Sequence, residues 1–188
     1  MKHKIAIIAG HSNSAPGALC YDGSYEHDHT HTLQQMIVHD QTNALLMQGS
    51  SFYPATDHED LSLRSVVNLL NANKTITGIL DIHFNANMIG ATGVEAIVHP
   101  YTSEENKQLA ASMVYILSGI IGIPIRRREP ERDYIYPSET PRGTLAIIDQ
   151  TKAPAIIIEV CFLNENNMIR YRAKRKEVSQ ALRKMMFA

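Results

Sequence analysis

The sequence predicts a single α/β domain: an open, twisted, mostly parallel or mixed sheet of about five or six strands, with helices on both faces. Three observations carry that expectation. Short β-branched runs alternate with stretches of helical periodicity along the chain. The segment from Ala155 to Val160 (AIIIEV) is almost continuously apolar, as a strand covered on both faces must be. Finally, the 188 residues contain no internal repeat, low-complexity tract or linker, so residues 1–188 are expected to form one unit.

Each element can be read in order. Lys4 to Ala9 is a short β-branched strand ending at Gly10, and the Ser-, Asn-, Pro- and Gly-rich stretch from His11 to Tyr25 is a loop. Apolar residues recur at helical spacing from Thr32 to Gln48, with Gly49 as a stop. Ser51 to Pro54 is a short edge strand, and Leu61 to Ala72 a second helix with Leu63, Val66, Val67 and Leu70 on one face. Gly78 to Phe84 and Gly93 to His99 read as strands, and Glu104 to Ile121 as a helix. Gly122 to Gly143 carries four prolines and is loop, of a length that is commonly functional. After the central strand, Met168 to Met186 forms a terminal helix.

Composition narrows the function classes. With 44% hydrophobic and 20% charged residues the chain is an ordinary folded protein. Apolar runs such as Ile5 to Ala9 fall far short of the ~20 residues that span a bilayer, which argues against an integral membrane segment. A net charge of −1 argues against a uniformly basic nucleic-acid binder. Two cysteines cannot make a disulfide framework, which points to synthesis in a reducing compartment. The first apolar run is also too short for a secretory signal, and polar His11 to Ser14 follow at once, so synthesis in the cytoplasm is expected. Charge is uneven along the chain. Residues 1–125 hold 5 basic and 11 acidic side chains, and residues 126–188 hold 13 and 8. The basic excess lies in Arg126-Arg127-Arg128 and in the tail from Arg170 to Lys184: a solvated face, or a weak patch for an acidic polymer.

Three potential metal ligands or acid–base groups fall at or near strand ends, where open α/β sheets gather their ligands. His11 follows the first strand, His83 stands near the end of another, and Glu159 lies inside the most apolar segment, where a carboxyl is costly to bury unpaired. A fourth group comes from Glu26-His27-Asp28-His29-Thr30-His31. Two histidines and one carboxylate are an established catalytic zinc set, although no HExxH or CxxC is present. Cys161, two residues beyond Glu159, reads as a small buried hydrophobe rather than a nucleophile.

In their order along the chain these segments resemble the zinc-dependent N-acetylmuramoyl-L-alanine amidases of the amidase-3 type. The resemblance is carried by Ala9-Gly10-His11 with Pro16-Gly17, Glu26 ahead of the first helix, and His83-Phe84-Asn85-Ala86 followed by Gly93-Val94-Glu95. It is completed by Pro154-Ala155, the apolar run, and Glu159-Val160-Cys161-Phe162-Leu163-Asn164. Leu61 to Arg64 and Arg142 to Leu145 agree as well. Ser12-Asn13 and Ala15 depart from the family's usual Gly-Gly and Asp, which touches loop contacts but no ligand.

The resemblance implies one Zn2+ per chain held by His11, Glu26 and His83, with His29 and His31 as fallbacks for the third ligand, and Glu159 as catalytic carboxylate. Asn85 and Arg142 are implied at the substrate, Arg142 on a stem-peptide carboxylate. The implied reaction is hydrolysis of the amide between N-acetylmuramic acid and L-alanine in peptidoglycan, in the manner of a phage-type endolysin that reaches the wall after release and has no separate wall-binding domain. Two other readings stand beside it: a zinc peptidase cutting within the stem peptide, and a non-catalytic wall-binding domain. Replacing Arg172, Lys174 and Arg175 is expected to weaken wall binding mainly at low salt.

Overall fold

The structure is a computed structural model that describes residues 4–39, 51–54, 61–86 and 90–186. Five strands, β1 (Lys4–Ala9), β2 (Ser51–Pro54), β3 (Ile76–Asn85), β4 (Glu95–Val98) and β5 (Ala155–Phe162), form one sheet in the order β2-β1-β3-β5-β4. All pairings are parallel except β4 against β5. The helices are α1 (Glu26–His39), α2 (Leu63–Ala72), α3 (Glu104–Ile121), α4 (Ala146–Gln150) and α5 (Glu165–Met185).

Period-two alternation divides the core into two layers. Ile7, Leu80, Ile82, Phe84, Ile156, Ile158 and Val160 face the layer that α1, α3 and α5 complete through Leu33, Met113, Leu117 and Tyr171. Ala6, Ile8, Ile79, Ala155 and Ile157 face the layer completed by Val66, Val67 and Leu70 of α2 and Ile147 and Ile148 of α4. Helices therefore cover both faces, as the sequence predicts. By the same parity Asp81, His83, Glu95 and Glu159 project towards the α2/α4 face. Cross-strand register aligns His83 of β3 with Glu159 of β5, and Glu159 with Glu95 of β4.

Two helix starts differ from expectation. Helix α1 starts at Glu26 rather than Thr32, because its first turns bury polar side chains (Glu26, His27 and Thr30) that break the apolar period. The expected continuation to Gln48 and the stop at Gly49 lie outside the described residues. Helix α5 starts at Glu165 rather than Met168. Asn164 caps it by accepting from the Asn167 N–H, and Glu165 stands in the first turn. The segment from Gly122 to Gly143 is irregular apart from one turn at Pro137–Glu139, yet it is anchored along the edge of β4. The Val94 N–H donates to Pro124 O, Arg126 N–H to Val94 O, Ile135 N–H to Ala96 O and Val98 N–H to Ile135 O. This backbone occupies hydrogen-bonding groups that an exposed edge strand would leave open.

Candidate functional site

Parallel strands β1 and β3 end side by side, and the loop after β1 returns as α1, so three separate segments converge. His11 Nε2 lies 3.0 Å from Glu26 Oε2, and His83 Nδ1 lies 3.0 Å from Glu26 Oε1. The Phe84 N–H donates to Oε1 at 3.1 Å and the Ala18 N–H to Oε2 at 3.4 Å. One donor atom from each of His11, Glu26 and His83 falls within 4.8 Å of the others. Burial alone would raise the Glu26 carboxyl, but hydrogen bonds from His11 and His83 outweigh it and hold the group well below the usual carboxylate range. The other ring nitrogen of His83, Nε2, is 3.4 Å from Asp81 Oδ2. Such a carboxylate fixes the tautomer and the ring orientation of a metal-ligating histidine.

The backbone is shaped around these rings. His11 has φ 69°, the one positive value at a non-glycine among the described residues, which marks a strained position next to the site. A Cβ at Gly10 would stand 2.5 Å from His83 Cε1, and one at Gly17 would stand 2.7 Å from His11 Cδ2 and 2.8 Å from Glu26 Oε2. Both positions need glycine for close approach. The Gly10 carbonyl accepts from Thr30 Oγ1 at 2.8 Å and faces His27 Nδ1 at 3.1 Å, pinning the start of α1 to the end of β1.

Glu159 is the next side chain across the sheet from His83. Its Oε2 is buried and has no hydrogen-bond partner. Burial, opposed by His83 and reinforced by Glu26, Glu95 and Asp81, pushes its carboxyl up to about 8. A carboxyl tuned towards neutral pH can both accept and return a proton.

The structure thus gathers His11, Glu26, His83 and Glu159. Asn85 ends β3 two residues beyond His83 and donates from Nδ2 to Glu95 Oε2 at 3.2 Å. Arg142 is exposed in the turn before α4, and none of the contacts described for the cluster involves it. The neighbouring histidines have other work. His27 stacks on His31, and His29 packs edge-on against Phe84 with its Nε2 2.9 Å from Ser24 Oγ, so neither His29 nor His31 enters the ligand group. Sequence reasoning passed over Asp81, Gly10 and Gly17 as parts of the site. The signal for Asp81 was present, since residues two apart on a strand share a face.

Two imidazoles and one carboxylate, with one ring backed by a second carboxylate, match zinc in donor type and number and leave room for a further ligand. The residues present fit such an ion.

The sequence model of the amidase-3 family, described as N-acetylmuramoyl-L-alanine amidase, matches residues 5–187. The chain belongs to this family. The activity that goes with membership is hydrolysis of the amide linking N-acetylmuramic acid to L-alanine in peptidoglycan. Solved amidase structures share the fold. The catalytic domain of CwlV from Bacillus (Paenibacillus) polymyxa var. colistinus has a TM-score of 0.76 at 19% identity, over 99% of this chain and 96% of that one. A putative amidase from Neisseria meningitidis has 0.74 at 20%, over 97% and 93%. The catalytic domain of an endolysin targeting Clostridium difficile has 0.71 at 14%, over 97% and 95%. No curated protein sequence is significantly similar to this chain.

Proposed function

We propose that this amidase works with one Zn2+ per chain held by His11, Glu26 and His83, and with Glu159 as its catalytic carboxylate. The observation that carries the reading is the buried Glu26 carboxylate set between two imidazoles, with an unpartnered buried oxygen of Glu159 on the adjacent strand. A bound Zn2+ would supply Lewis acidity, polarising the lactyl carbonyl and making water a better nucleophile.

The chain's own groups do the rest. Glu26 stays ionised and offsets part of the metal charge. Asp81 holds the His83 ring in one orientation. Glu159 accepts a proton from the attacking water as the new C–O bond forms. It then passes that proton to the alanine nitrogen as the C–N bond breaks, so the products are the lactyl carboxylate and a stem peptide with a free N-terminus. The apolar strand around Glu159 limits water at the carboxyl and keeps its proton affinity high.

Mass spectrometry of soluble products from purified peptidoglycan, with and without a chelator, tests the proposal. Stem peptides bearing free N-terminal L-alanine, lost with chelator and restored by zinc, are expected. Cuts inside the stem would make the enzyme a peptidase on the same ligands, and no cleavage under any metal condition would favour a wall-binding module. Glu159→Gln is expected to keep one zinc per chain while kcat falls by about 10²–10⁴. Cleavage of cell walls after release from the cytoplasm, as for an endolysin, is the setting we propose, and the fold shared with an endolysin catalytic domain supports it. In the basic tail, Arg172 pairs with Asp22 and Lys174 with Glu177, which leaves less free charge for anionic wall polymers than the sequence suggests.

A further inference from the structure

Beside the site, β5 carries one residue more than β3. His83 aligns with Glu159 but Asn85 with Phe162, and the two residues between, Val160 and Cys161, both turn into the layer of α1, α3 and α5. Such a bulge re-aims the side chains around it. Asn85 stands two residues beyond His83 on the same face of β3. From there its side chain reaches across β5 to β4, where Nδ2 donates to Glu95 Oε2 at 3.2 Å. Glu95 is itself the cross-strand neighbour of Glu159. The Asn85–Glu95 bridge therefore passes over β5 just beyond Glu159, the group that handles the proton in the proposed reaction.

The bridge decides which end of the Asn85 amide is left for a substrate. A carboxylate only accepts hydrogen bonds, so Glu95 takes the NH2 end. Glu95 is buried, and Arg126 Nη1 lies 3.7 Å from the same oxygen. Among the described residues nothing donates to Asn85 Oδ1, and the side chain is only half-buried. The site thus offers a substrate one oriented acceptor next to Glu159. In the hydrolysis proposed above, the leaving nitrogen receives its proton from Glu159, so it lies beside that carboxyl, and until then it carries a single N–H. We infer that Asn85 Oδ1 accepts the N–H of the scissile amide, with Glu95 as the positioning residue that fixes the orientation of the Asn85 side chain. Holding that hydrogen leaves the nitrogen lone pair free to take the Glu159 proton as the C–N bond breaks. It also makes the enzyme favour an amide over the matching ester, which has no hydrogen to offer. The inference rests on the proposed hydrolysis for the place of the nitrogen.

Two ligands that differ at one group test the contact: N-acetylmuramoyl-L-alanyl-D-isoglutamine, and its analogue with an ester oxygen in place of the alanine N–H. Calorimetric titration of zinc-loaded Glu159→Gln reads binding without turnover. Each variant is scored by the ratio of its two Kd values, which a partly folded preparation leaves unchanged. Adding Asn85→Ala is expected to shift that ratio about fivefold against the amide. Adding Glu95→Gln instead shifts it part of the way, because a glutamine amide accepts as well as donates and no longer forces Asn85 into one orientation. In the active protein, Asn85→Ala is expected to lower kcat about tenfold on the amide and less than about twofold on the ester. A ratio unmoved by Asn85→Ala would overturn the contact, and one unmoved by Glu95→Gln would overturn the positioning role of Glu95. An Asn85-dependent preference in a protein that releases no stem peptides would uphold the contact and overturn the hydrolysis proposal, and stem-peptide release without that preference would do the reverse.

Discussion

His11, Glu26 and His83 bring three donor atoms within 4.8 Å of one another, and so do Cys20, Asp22 and His29 a few residues along the same loop and helix. The difference lies in what already occupies the donors. In the first group the carboxylate's hydrogen-bonding neighbours among the described residues are imidazoles and two backbone N–H groups, and Glu159 stands on the next strand but one from β1. In the second, Asp22 accepts from the Ser24 hydroxyl and backbone N–H, and Arg172 fills the position a cation would take. His29 Nε2 faces Ser24, and burial pushes the Cys20 thiol up, away from the thiolate a metal needs. Donor proximity is common to both groups. Donor availability separates them.

The strongest way to break the comparison is metal stoichiometry. His83→Ala is expected to lower bound zinc from one per chain to none and to bring amide hydrolysis to background, whereas Cys20→Ala keeps one zinc and its activity. Elemental analysis after dialysis reads both. Two zinc ions in the wild type, or loss of the ion in Cys20→Ala, would put the second cluster on the same footing as the first.

The sheet was legible because strand signals here are strong: β1 and β5 are short, mostly apolar runs rich in isoleucine, with His11 just beyond the first and Glu159 the one charged residue inside the second. The start of α1 was not legible, for a reason tied to the site. A helix that turns Glu26, His27, Thr30 and Gln34 inward has no apolar stripe over its first two turns. The helix signal fails where the inner face serves the ligands rather than the core. The arginines show a second limit. The sequence reads Arg126-Arg127-Arg128 as one basic run, and only the alignment of residues 124–126 along β4 shows Arg126 and Arg128 turned towards Glu95 and Arg127 towards Asp133.

Outer-sphere partners give a smaller contrast. Asp81→Asn removes the charge behind the His83 ring and is expected to weaken zinc binding by about 10–100-fold with the fold intact. Ser24→Ala disturbs Asp22 and His29 as thoroughly, yet leaves zinc affinity unchanged if that group holds no ion. Competition against a chromophoric chelator measures the two together. Equal affinities in wild type and Asp81→Asn would remove Asp81 from the site.

The finest distinction uses two glycines with similar positive φ. Gly17 (φ 79°) lies in the first group's loop and Gly23 (φ 87°) in the second's. Alanine at either position meets the same left-handed strain, of about 1 kcal/mol. At Gly23 a Cβ meets nothing within 4 Å, so strain is the whole cost. At Gly17 it also strikes the His11 ring and the Glu26 carboxylate, the two groups that must stay aligned. Thermal unfolding of the metal-free variants is therefore expected to place Gly17→Ala below Gly23→Ala, and added zinc should stabilise the Gly23 variant as it does the wild type but the Gly17 variant less. Equal recovery with zinc would mean that the His11 ring can move aside without losing the ion, and that the close fit of this loop serves folding rather than the metal.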